Sequence, residues 1–284
     1  MNKRGLKKRG LKRPRFFPFF IGLVLALMYV PIILVIVYSF NQGRLSSVWN
    51  GFTLNWYAEL FRDRAMFEAL RNSLVLAVLS SLAAALLGTL GAFGSSGRRG
   101  KTRYSAGRVM EYLAVLPIMI PEIILGMVFL AFFALLGLPF GMFTLVIAHT
   151  VFCVPYPFLL VKARLAGLDK NYAEAARDLG AGEMRAFYDI TLPAILPAVV
   201  SGMLISFAMS FDDVIISVFV TGVHTNTLPI RIYSQLKTGV SPKTNALCTL
   251  LFIATMALAL TAAYLARPKK VTDTNFSERE NILN

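Results

Sequence analysis

The stretch EAARDLGAGEMRAFYDITLP, residues 174–193, is a polar, mixed-charge island between two long apolar runs. A connection that merely joined two membrane helices needs only about five or six residues. This one reads as two short helices with a break. Ala173, Ala175 and Ala176 favour helix, Glu174 suits the positive end of a helix dipole, and Gly180 with Gly182 stops the run. A second short helical stretch, Met184 to Ile190, leads into Leu192-Pro193, where the next apolar segment begins. A structured projection of this kind is built to be gripped by another surface.

Outward from the island the chain is strongly apolar. Of its 284 residues 56% are hydrophobic and only 15% charged, and the mean hydropathy is +0.64. A soluble domain carries roughly a quarter charged residues. The excess lies in blocks long enough to cross a bilayer, which takes about 20 apolar residues. Six blocks qualify, at about residues 16–40, 70–94, 110–136, 142–163, 194–220 and 244–266. Of the 29 Lys and Arg residues, 22 fall in segments 1–15, 97–109, 162–193 and 267–284, and 7 in the alternate segments. By the positive-inside rule both termini and the 164–193 island are cytoplasmic. The expected fold is an all-α integral membrane protein of six spans: a basic tail (1–15), a six-span domain (16–266) carrying a cytoplasmic loop at about 164–193, and a polar tail (267–284).

The net charge of +14 does not imply nucleic acid, because the basic residues cluster beside the inner membrane face, where they meet anionic lipid headgroups. The first apolar run, about 25 residues, is too long for the h-region of a signal peptide and no small-x-small cleavage site follows it. Cys153 and Cys248 both fall within spans and read as small apolar fillers rather than a disulfide framework. Gly97-Arg98-Arg99-Gly100-Lys101-Thr102 ends like a phosphate-binding loop, but Ser95 stands where the first glycine is required and no strand precedes it. If ATP drives this protein, another chain binds it.

Ionisable groups within spans are the candidates for function, since each costs at least about 2.5–3.5 kcal/mol at the bilayer centre unless it faces an interior or a water path. Glu122 follows Pro117 and Pro121 in the third block, and a straight helix would carry it about 18 Å from the inner end, with a kink at the prolines. Asp212 and Asp213 stand side by side in the outer half of the fifth block. Adjacent residues lie about 100° apart on a helix, so at most one points straight at a path; the other caps a helix break or pairs with a partner subunit. His149, in the fourth block, reads as hydrogen-bonded between helices, with no second ligand at a metal spacing. Gly88, Gly91 and Gly94 recur at three-residue steps and permit close helix approach. Residues 56–61 and 229–236 read as short helices at the outer interface, and Ser241-Pro242 as the N-cap and first residue of the last span.

Glu174-Ala175-Ala176, then Gly180, Ile190 and Leu192-Pro193, together resemble the EAA loop of permease subunits of bacterial ABC importers. YSFN, WNGFTLNWYAELF, ALRNSLVLA, LPIMIPEIILG, FDDVIISVFVTG and LPIRIYSQLKTGVSPKTNAL, spread over residues 38–247, are similar to the C-type permeases of spermidine/putrescine importers within that family. The resemblance implies a type I importer permease fold. It also implies a coupling helix at Glu174, Ala175, Ala176, Asp178, Leu179 and Gly180 that docks on an ABC ATPase dimer, a second (B-type) permease, and a periplasmic or lipid-anchored polyamine-binding protein. ATP and Mg would be bound by the ATPase, with no cofactor in this chain and no catalytic residue. The substrate path would use Glu122, Asp212 and Asp213, whose carboxylates can replace part of the hydration of a polyamine's ammonium groups. Two alternatives stand beside this: an importer permease for ferric ion, thiosulfate or molybdate, and an ion-coupled secondary transporter, which would leave the EAA loop idle.

Overall fold

A computed structural model describes residues 16–43, 48–96, 101–168, 178, 180–223 and 225–265. Among them the secondary structure is helical, apart from an isolated antiparallel bridge between Asn41 and Phe52. In chain order the helices are α1 (Phe16–Tyr38), α2 (Asn55–Arg62), α3 (Arg64–Ser96), α4 (Lys101–Met119), α5 (Glu122–Leu135), α6 (Met142–Cys153) and α7 (Pro155–Ala166). They continue with α8 (Glu183–Ala186), a π-helical turn (Phe187–Thr191), α9 (Leu192–Asp212), α10 (Ile215–Val220), α11 (Leu228–Thr238) and α12 (Pro242–Leu265). Five segments are long and apolar enough to cross a membrane: Pro18–Tyr38, Arg64–Ser96, Met142–Ala166, Met184–Asp212 and Pro242–Thr261. The bent pair α4–α5 would make a sixth if it is counted as one broken span.

Two of the expected spans are broken. Where a kink was expected at the prolines, Gly107–Met119 and Glu122–Leu135 turn by 109° relative to each other. Pro121 takes an extended backbone (φ −54°, ψ 132°) and its carbonyl accepts from Ile124 N (2.9 Å) and Leu125 N (3.1 Å), starting a new helix. A proline has no N–H to continue the old ladder and disfavours helical backbone in the residue before it, so the chain breaks at Ile120-Pro121 while Pro117 stays inside α4. Glu122 therefore sits at a helix start, and the depth expected from one straight helix does not apply. The fifth expected span likewise ends at Asp212, with Asp213 and Val214 between α9 and α10.

The chain divides into two compact units. The first joins the N-terminal segment through Arg62 with the chain from Gly239 onward; in it α12 packs on α1 and α2. The turn after α1 is organised by Asn41, which is fully buried. Its side chain donates to the Val48 carbonyl (2.6 Å) and accepts from Asn50 N (2.8 Å), while its own carbonyl takes the Trp56 indole N–H (2.7 Å). Ser241 begins α12 as expected: its hydroxyl accepts from Thr244 N (3.3 Å), and Pro242 is the first helical residue.

The second unit, Asp63–Thr238, holds the candidate site. In it α3 runs against α6, α7 and α9, and α10 lies on α5 and α6. Its main apolar core includes Leu76, Phe129, Phe133, Leu145, Phe152 and Ile216. Close approach centres on Pro157. A Cβ at Gly88 of α3 would lie 2.8 Å from the Pro157 ring, and one at Gly202 of α9 only 2.5 Å from Pro157 Cα. These glycines let three helices meet at one proline. Of the other glycines in the α3 series, Gly91 faces the Phe158 ring and Gly94 makes an ordinary contact with Met110. Asp63 caps α3 through Met66 N (3.0 Å) and pairs with Arg231 of α11 (3.7 Å).

Candidate functional site

Three interruptions in the helices converge on one set of polar side chains. Glu122 is the first residue of α5, Asp212 the last of α9, and Tyr156 the second of α7, just after the α6–α7 joint at Val154. Glu122 lies within electrostatic range of Asp212 and Asp213, and Tyr156 within range of Glu122 and Asp212. Glu122 and Tyr156 are half-buried and Asp212 is exposed. The helices that carry these groups also hold aromatic pairs: Phe207 and Phe211 stack along α9 (6.0 Å between centroids), and Phe152 meets Tyr156 edge-on (6.3 Å). Carboxylates beside aromatic faces are suited to cations that have lost part of their water. No group of three His, Cys, Asp or Glu side chains among the described residues could hold a metal ion.

The two adjacent aspartates have parted company. Asp213 is 8% exposed, and its carboxylate accepts from Ile216 N (3.2 Å) and Ser217 N (2.9 Å), capping α10. Its Oδ2 also lies 3.4 Å from His149 Nε2. Asp213 is thus the carboxylate that caps a break, and Asp212 the one left open. His149 is fully buried and hydrogen-bonded between helices, as its sequence setting suggested. Its Nδ1 meets Ser210 Oγ at 2.8 Å and its Nε2 meets Ser217 Oγ at 3.0 Å. Ser80 of α3 extends the chain with a hydroxyl bond to Ser210 (2.8 Å). Sequence reasoning passed over Tyr156; the signal for it is a tyrosine between Pro155 and Pro157 inside an apolar run.

At the other ends of α7 and α9 lies the base of the elbow. Glu174, Ala175, Ala176 and Leu179 fall outside the described residues. Asp178 is exposed, and Gly180 has φ +87°, a left-handed backbone that favours glycine. The stretch expected at Met184–Ile190 is α8 and the π-helical turn, in which Leu192 N reaches back to the Phe187 carbonyl. Pro193 cannot bond in the α register and its ring would clash with the carbonyl four residues earlier; one wider turn relieves both. Phe187 of this turn packs edge-on against Phe93 of α3 (4.8 Å). Arg164, near the end of α7, donates from Nε to the Ala194 carbonyl at the start of α9 (2.9 Å), tying the two arms of the elbow together. Lys162 of α7 pairs with Glu111 of α4.

Membrane-length helices interrupted at carboxylates mark a multi-pass membrane protein. The chain belongs to the family of binding-protein-dependent transport system inner membrane components, whose family model matches residues 84–269. It is 38% identical over 248 residues to the spermidine/putrescine transport system permease protein PotC of Haemophilus influenzae, covering 87% of this chain and 95% of that one. It is 40% identical over 250 residues to the putrescine transport system permease protein PotI of Escherichia coli K12, covering 86% and 88%. Among solved structures, it superposes on a chain of a bacterial ABC transporter involved in the import of the acidic polysaccharide alginate with a TM-score of 0.67 at 16% identity, covering 88% and 96%. The inward-facing MetNI methionine ABC transporter gives 0.56 at 19%, covering 75% and 95%. At these identities the likeness to the solved structures is one of fold. The resemblance drawn from the EAA spacing is thereby borne out at the level of the family.

Proposed function

We propose that this chain forms half of the membrane path for a polyamine such as spermidine or putrescine, in an importer driven by a separate ABC ATPase dimer. The reading rests on similarity to PotC and PotI and on the carboxylates Glu122 and Asp212 at the helix breaks. A second, B-type permease supplies the other half of the path, and a periplasmic or lipid-anchored binding protein delivers the cargo. ATP and Mg are bound by the ATPase. Both termini and the elbow are cytoplasmic, in keeping with the distribution of Lys and Arg.

The mechanism follows from how the site is attached. Helices α7 and α9 bracket the elbow; Arg164 ties them at its base, and Pro157 packs on Gly202 further along. Their far ends carry Tyr156 and Asp212, whereas Glu122 starts α5, beyond the break from α4. A push on the elbow, at Glu174–Gly180, moves Tyr156 and Asp212 as one body relative to Glu122. Parting the carboxylates weakens their joint hold on a cation, because Coulomb attraction falls with distance and with entering water. Two acids and an aromatic wall suit ammonium groups, whereas an anionic cargo calls for helix N-termini or basic groups.

The test is ATP-dependent uptake of labelled spermidine by the complex reconstituted in proteoliposomes. Replacing Glu122→Gln and Asp212→Asn together is expected to lower uptake by about tenfold or more, the scale of losing a fixed charge along an intramembrane path. The ATPase should still co-purify. Unchanged uptake by the double variant would rule the reading out.

A further inference from the structure

We propose that His149 is a positioning residue for the cation path: it clips the two sides of the α9–α10 break together, so that Asp213 is held as a helix cap and Asp212 is the carboxylate offered to the cargo. The inference rests on Asp212 belonging to the path.

The geometry that carries it is the placement of the two ring nitrogens. Nδ1 bonds Ser210, in the last turn of α9, and Nε2 bonds Ser217, in α10, so one imidazole bridges the break. Asp213 lies within the break, with Oδ2 3.4 Å from Nε2 and 2.9 Å from Ser217 N. A carboxylate only accepts, so the proton belongs on Nε2, leaving Nδ1 to accept from the Ser210 hydroxyl. Ser210 in turn accepts from Ser80. The carboxylate of Asp213 takes hydrogen bonds from the Ile216 and Ser217 amides, and the imidazole N–H, bonded to Ser217 Oγ, faces its Oδ2 at 3.4 Å. Asp213 is thereby turned into the fold, 8% exposed, and away from a passing cation.

The consequence falls on the neighbouring residue. In an unbroken helix Asp212 and Asp213 would both project from α9, about 100° apart. With the break clipped, Asp213 turns inward to 8% exposure while Asp212 stays exposed. His149 itself is fully buried and touches no cargo. An apolar residue would fill the space, but would leave Ser210, Ser217 and Asp213 each short of a partner, a state that buried polar groups avoid.

The experiment reads the position of residue 212 directly. In the assembled complex, with Cys153 and Cys248 replaced by alanine, Asp212→Cys is labelled with a cationic methanethiosulfonate reagent in the presence and absence of spermidine. With His149 intact, labelling is expected to be fast and slowed by spermidine still held at Glu122. Adding His149→Leu should slow labelling severalfold, because the site is no longer held by its supporting shell, and abolish the protection. His149→Gln, which keeps a donor and an acceptor, should restore much of both. If His149→Leu does not assemble, Ser217→Ala removes one side of the clip and is read in the same way. Equal labelling and protection in all backgrounds would overturn the proposal. Failure of the underlying reading looks different: labelling would respond to His149 but spermidine would protect in none of the backgrounds.

Discussion

Two neighbouring carboxylates with the same formal charge hold opposite positions, and their hydrogen bonds explain why. Asp213 replaces its lost water with backbone amides and an imidazole, whereas Asp212 lacks such a cage and remains exposed. The amide side of this cage is testable by stability. Asp213→Asn keeps a side-chain oxygen for the Ile216 and Ser217 amides. Asp213→Ala leaves them unsatisfied and is expected to cost about 1–3 kcal/mol more, read as a lower thermal midpoint of the purified complex. Equal midpoints would show that the cap contributes nothing. Gly202 makes a parallel case in packing. A Cβ there would press on Pro157 Cα, which is backbone and cannot swing aside. Gly202→Val is therefore expected to destabilise by about 1–3 kcal/mol through overpacking, whereas the same change at Gly22, where nothing lies within 4 Å, leaves the midpoint unaltered.

At the scale of elements, the helices matter as much for where they stop as for what they span. The third and fifth spans are interrupted by Pro121 and by the Asp213 cap, and the fourth joins two helices at Val154. In a bilayer, backbone freed by such breaks survives only where protein or a water path satisfies it. The helices on either side of the elbow are held together at its base. Arg164 holds the end of α7 to the start of α9 by one hydrogen bond, and the π-helical turn seats Phe187 on Phe93. Arg164→Ala should let the arms move separately. The expected result is retained ATP hydrolysis with severalfold less spermidine imported per ATP, measured on the same proteoliposomes. An unchanged ratio would mean that the elbow needs no tie at its base.

For the whole molecule the orientation is the prediction that matters most, because it decides which end the proposed ATPase would reach. With 22 of 29 basic residues on one side of the six expected spans, Asp178→Cys should be shielded from a membrane-impermeant maleimide added to intact cells, and Asn50→Cys should react. The reverse pattern would place the elbow outside and separate it from any cytoplasmic motor.

The apolar blocks, the basic flanks and the EAA spacing were legible in the chain itself, because span length, charge bias and a local loop pattern are properties of neighbouring residues. They determined a helical membrane fold and the family, and gave six expected crossings. Local chemistry also marked Glu122, the Asp212–Asp213 pair and a histidine set between helices. Which aspartate would be buried, that Tyr156 joins the two acids, and that the third span turns by 109° instead of kinking were decided only by the tertiary structure. The reason is physical: the cap of Asp213 on Ile216 and Ser217 is local, but the histidine beside it is placed by bonds between residues 61 and 130 positions apart, His149–Ser210 and Ser80–Ser210. No pattern within one helix carries that information.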